Sequence, residues 1–78
     1  MMNNAFVIDQ AKRFAGRLRK EAGSEARSQV DLAYRLALSR PPTDQEVAAA
    51  IPFIRQDDNA LADFAQALFN LNEFVYAP

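Results

Sequence analysis

The stretch Ala60 to Tyr76, ALADFAQALFNLNEFVY, decides the fold. At helical spacing Leu61, Phe64, Ala65, Leu68 and Leu71 form one apolar stripe. Ala60, Ala67, Phe69 and Val75 carry apolar surface well outside that stripe. A helix apolar around so much of its circumference needs cover on more than one side. The sequence therefore predicts a central helix, packed by the rest of the chain on one face. On another face it meets something outside the chain, or a second copy.

Working outward, Asp57, Asp58 and Asn59 precede this helix and place acidic groups where the positive end of its dipole favours them. The helix is expected over 60–72, with 73–78 an extended tail anchored by Phe74 and Tyr76. A third helix is expected over 44–56, with Val47, Ala50, Ile51 and Ile54 facing inward. Pro52 sits inside it and either kinks it or splits it into two short turns; the kink is favoured because Phe53 and Ile54 continue the apolar pattern. Thr43-Asp44-Gln45-Glu46 reads as a capping box, in which a hydroxyl and a carboxylate each satisfy a free backbone donor.

A second helix is expected over 25–39, started by Ser24 and stopped at Arg40-Pro41-Pro42. Its main face is Ala26, Val30, Ala33, Tyr34, Ala37 and Leu38, with Leu32 and Leu36 off it. The first is expected over 5–22 on Val7, Ala11, Phe14, Leu18 and Ala22, with Ile8 and Ala15 beside that face, and closes at Gly23. Short connections turn each helix back on the last, which predicts an all-α, antiparallel four-helix bundle forming one domain over 1–78.

Half of the residues are apolar and only two are Gly, which suits compact helices. With no Cys and no His the chain forms no disulfide, no thiolate or imidazole metal site and no C-x-x-C-H haem attachment. No apolar run approaches the ~20 residues of a membrane span. Residues 1–40 carry eight basic and four acidic side chains, a balance of +4; residues 41–78 carry Arg55 and six acids, a balance of −5. The two halves attract each other weakly and in a salt-sensitive way.

The carboxylate pairs Asp44 with Glu46 and Asp57 with Asp58 stand at helix starts, where acids are favoured for structural reasons. No catalytic, cofactor-binding or metal-ligating residue is assigned, and no cofactor is expected. Arg13, Arg17 and Lys20 line an outer face of the first helix, with Lys12 and Arg19 nearby. Asp9 with Arg13 and Arg17 with Glu21 make that face a solvated surface, and no aromatic residue interleaves with the cations as nucleic-acid binding would require. Asn70, Asn72 and Glu73 lie among Leu71, Phe74 and Tyr76. They read either as helix-end caps with a partner for a basic residue of the first helix, or as a recognition patch. Phe6 and Ile8 on the first helix, with Phe69, Asn70, Asn72, Glu73, Phe74, Val75 and Tyr76 on the last, form the candidate interaction surface.

The runs NNAFVIDQAKRFAGRL, DLAYRLALSRPPTDQE and ALFNLNEFVY, in this order, resemble the carboxy-terminal end of a family of large planctomycete proteins. That family is classed as a domain of unknown function and often accompanies a cytochrome c-like domain and a second uncharacterised domain. The resemblance covers nearly the whole chain, with ALFNLNEFVY its most specific part. It implies the carboxy-terminal piece of a longer polypeptide in a secreted or cell-surface setting, with haem chemistry in another domain; it carries over no functional residue. Pro52 departs from it, since a helix former is expected there. The expected function is a non-enzymatic helical interaction or structural module. Its expected partners are the remainder of the parent polypeptide, with a homodimer when isolated, and neither nucleic acid nor a membrane span. The alternative from a different class is a small nucleic-acid-binding or regulatory domain using the basic face of the first helix.

Overall fold

The computed structural model describes the backbone of residues 5–76 and the side chains of residues 5–71. Its elements are α1 (Ala5–Ala22), α2 (Ala26–Leu38), α3 (Asp44–Ile54) and α4 (Ala60–Tyr76), the all-α bundle that the periodicity predicts.

In α1 the apolar recurrence buries Val7, Ala11, Ala15 and Leu18. Gly23 ends it with φ 74, its N–H donating to the Arg19 carbonyl at 3.0 Å. An L side chain there would cost roughly 1 kcal/mol or more. Ser24 does not cap the next helix: Glu25 occupies the N-cap, and its side chain makes no cap bond. The Glu25 carboxylate instead accepts from the Ser28 hydroxyl at 2.9 Å, which takes it away from the free N–H groups. Gln29, the one buried polar residue among those described, is satisfied by donating to the Gly23 carbonyl at 2.7 Å. At its other end α2 stops at Ser39, in the left-handed conformation with φ 58, before Arg40 and the prolines are reached.

The capping box forms with both arms. The Glu46 N–H donates to Thr43 Oγ1 at 3.1 Å and the Thr43 N–H to Glu46 Oε1 at 2.8 Å. The same carboxylate receives both guanidinium nitrogens of Arg40, at 2.8 and 2.9 Å. Arg40 also lies over the Tyr34 ring, 5.4 Å from its centre. One arginine thereby ties the end of α2 to the start of α3. Arg40, and next the Thr43 N–H, hold the Glu46 carboxyl down at about 2. Helix α3 runs through Pro52 as a single helix and ends at Ile54, short of the expected 56. Pro52 falls in the last turn, and the donor it lacks is the one that would pair with the carbonyl of Ala48, an exposed residue.

Before α4, the Asn59 N–H donates to Asp57 Oδ1 at 2.8 Å, and the Asn59 carbonyl then accepts the first helical bond, from Asp63 at 3.1 Å. The helix continues to Tyr76, so residues 73–76 are not an extended tail. No Gly or Pro interrupts it before Pro78. Asn70 and Asn72 therefore lie inside the helix and do not cap its end.

Helix α4 packs against all three other helices, but α2 does as well, so the centre is shared rather than held by α4 alone. Among the described residues the backbones of α1 and α3 do not approach each other closely. Leu18, Val30 and Leu68 are fully buried where α1, α2 and α4 converge. Tyr34 and Phe64 pack ring on ring with centres 6.0 Å apart. Leu71, expected on the buried stripe, is 50% exposed. At 1.5 Å per residue the 17-residue α4 outruns the 11-residue α3 by about 9 Å, which leaves Leu71 past the cover that α3 provides. Arg19, near the end of α1, donates to the Asp58 carbonyl at 2.6 Å, so the end of α1 lies beside the start of α4, as antiparallel packing requires.

Two substitutions test the local chemistry of α3. Thr43→Ala removes one arm of the box and is expected to cost about 1 kcal/mol in urea denaturation, with helical content unchanged. Pro52→Ala restores a donor at an exposed position and is expected to raise stability by roughly 1 kcal/mol, the gain being reduced by the freer unfolded chain. A fall in melting temperature would show that the bend at Pro52 is required. The Arg40–Glu46 pairing also makes a pH prediction. The folded carboxyl titrates at about 2, below its ordinary 4.5. Its contribution is therefore complete above about pH 4.5 and is lost as pH falls toward 2. Urea midpoints measured down this range should fall less steeply for Glu46→Gln than for the wild type.

Candidate interaction surface

The antiparallel pairing of α1 with α4 brings the start of α1 and the far end of α4 to one end of the bundle. Two of the sequence-predicted surface residues stand there at the surface: Phe6 is 69% exposed and Ile8 37%. Leu71 joins them from α4. Ile8 also lines a depression of about 340 Å³ between α1 and α4, where Lys12 and Asp63 put opposite charges on its two walls. Phe69 is placed differently. Its ring lies 5.2 Å from that of Phe14 and the residue is half-buried, so it seals the α1–α4 seam from within the chain. Asn70 is partly buried and already engaged. Asn72, Glu73, Phe74, Val75 and Tyr76 continue the helix, and their side chains lie outside the described residues.

Sequence reasoning missed a second apolar surface. Ala49 and Phe53 of α3, and Phe64 and Ala67 of α4, bound a groove of about 380 Å³ with Tyr34 and Glu46 at its inner side. Phe53 is 39% exposed beside it. The signal was present in the pattern. Ala49 and Phe53 fall four apart, off the buried face of α3, and Ala60, Phe64, Ala67 and Leu71 recur at 4, 3, 4 spacing as a second stripe on α4. Burial raises the Tyr34 hydroxyl pKa, with the Glu46 charge adding to the rise and Arg40 opposing it. A phenol shifted this way stays protonated and serves as a hydrogen-bonding group.

The basic face of α1 is largely occupied by its own chain. Arg13 bonds Asp9 at 2.8 Å, Arg17 bonds Glu21 at 2.6 Å, and Arg19 is held by the Asp58 carbonyl. Each exposed pair contributes only tenths of a kcal/mol, yet each removes a cation from easy reach of a phosphate. Among the described residues no group of His, Cys, Asp and Glu is arranged to hold a metal ion, and no helix is long and apolar enough to cross a membrane. What these surfaces offer chemically is apolar area to bury, together with one phenol hydroxyl.

No curated protein and no solved structure matches the chain. A protein-family match covers residues 1–54, which takes in α1, α2 and α3 and ends at the last residue of α3. The run ALFNLNEFVY, the most specific part of the expected resemblance, lies beyond the matched stretch. With well over half its length matched, the chain belongs to the family described as PSD1, protein of unknown function (DUF1553).

Proposed function

We propose that the chain is a non-enzymatic helical module that docks onto the remainder of a larger extracytoplasmic polypeptide. The observation that carries this reading is the uncovered apolar end of the bundle, where Phe6 is 69% exposed and Leu71 50%. Among the described residues nearby, Asp9 is paired with Arg13 and Asn70 is already engaged, so what they leave to be gained at this end is the burial of carbon. Fully covering a side chain of Phe or Leu size yields about 1.5–3 kcal/mol, enough for a few such residues to hold a covalently linked neighbour in place. The resemblance to large planctomycete proteins that accompany cytochrome c-like domains supports the extracytoplasmic setting. Redox chemistry on this reading belongs to another domain. In isolation the same surface is expected to recruit a second copy, because two-fold pairing of one apolar patch is the commonest way such a surface is covered.

The test is to produce the chain and the rest of its parent as two separate polypeptides and to mix them. Co-elution is expected, and Phe6→Asp should weaken it at least tenfold while circular dichroism stays unchanged, because Phe6 has little to lose within the bundle itself. Two species that remain apart at tens of micromolar would refute the docking role. Binding to random duplex DNA at low salt, with a steep loss as salt rises, would favour the basic face of α1 instead.

A further inference from the structure

The groove between α3 and α4 is a different surface from the end where docking is proposed, and its make-up points to a particular kind of partner. Its walls are low where Ala49 and Ala67 stand and high where Phe53 and Phe64 stand. Leu71, half-exposed, lies one turn beyond Ala67 on the same side of α4. From Phe64 to Leu71 the strip is about 10 Å long, roughly two turns of an incoming helix. The alanines allow a helix backbone to approach closely, and the phenylalanines and Leu71 supply the area it buries.

Charge decides which helix fits. Residues 41–78 carry six acids and one base, a balance of −5, and the neighbouring Arg40 is taken up by Glu46. Asp63, one turn before Ala67, and Asp57 and Asp58 in the α3–α4 connection are all exposed. A second copy paired through this face about a two-fold axis would bring two acidic surfaces together, which costs free energy. A helix with lysines or arginines flanking its apolar stripe meets them with the opposite sign. Tyr34 extends the apolar lining. It is only 6% exposed as a residue, and its ring lines the groove. We infer that this groove receives a basic amphipathic helix from another protein segment, whose apolar side chains seat between Phe53 and Leu71 and whose lysines or arginines face the surrounding carboxylates. The inference deepens the docking role but uses a separate surface.

The experiment uses a synthetic leucine–lysine peptide patterned as an amphipathic helix, titrated calorimetrically into the whole chain. Saturable one-to-one binding that weakens in high salt is expected, and the same pattern built with glutamate should not bind. Ala67→Leu fills the groove without changing charge and should weaken binding at least tenfold; Ala49→Leu provides the same test from the α3 side. Phe6→Asp should leave binding unchanged. Equal binding by the filled variants, or by a lysine peptide with no apolar stripe, would overturn the inference by reducing it to charge alone. Absence of peptide binding together with self-association that Ala67→Leu abolishes would overturn it in favour of a second copy. Peptide binding that survives when the parent polypeptide fails to co-elute separates the groove from the Phe6 surface, and the reverse result separates them equally.

Discussion

The close approach of α1 and α4 is the constraint on which the rest of the structure depends. Ala11 and Ala15 on one helix and Ala65 on the other are essentially inaccessible, and no pair of helices in the bundle is packed over a greater length. Small side chains let two backbones come near enough for Leu18 and Leu68 to fill the space behind them. A larger residue at any of the three alanines would separate the helices and open that space, since interiors packed to this density have little room to adjust. The ring contact of Phe14 with Phe69 then closes the edge of the seam.

This dependence bears on the family assignment. The matched stretch ends with α3, yet Leu61, Phe64 and Leu68 of α4 belong to the same core cluster as Leu18, Val30 and Ala50. Residues 1–54 alone would expose the inward faces of three helices, and α4 is the element that covers them. The physical unit is therefore longer than the matched segment and requires the fourth helix, whatever sequence supplies it in other members.

Apart from the i,i+4 ion pairs, much of the polar chemistry among the described residues is spent at the helix ends. Thr43, Glu46 and Arg40 join α2 to α3; Asp57 and Asn59 start α4; Gln29 and Gly23 join α1 to α2. Most of these groups lie within a few residues of their partners. The surface left to face other molecules is mainly apolar or acidic on the side of α3 and α4. The two apolar surfaces differ in the charge that surrounds them.

The sequence by itself determined the number of helices, the inward faces of α1 and α2, the left-handed close at Gly23 and the capping box at Thr43. Each of these is a local matter of side-chain period or of hydrogen bonds between near neighbours. Tertiary structure decided what depends on the relative lengths and neighbours of the helices. Leu71 shares the spacing of Leu68 but stands exposed because α3 gives out before it. Phe69 looks like an outer residue on a helical wheel but is drawn into the seam by Phe14. The groove exists only because stripes on α3 and α4, each unremarked in its own helix, are set side by side, and no periodicity within one helix reports what lies across from it.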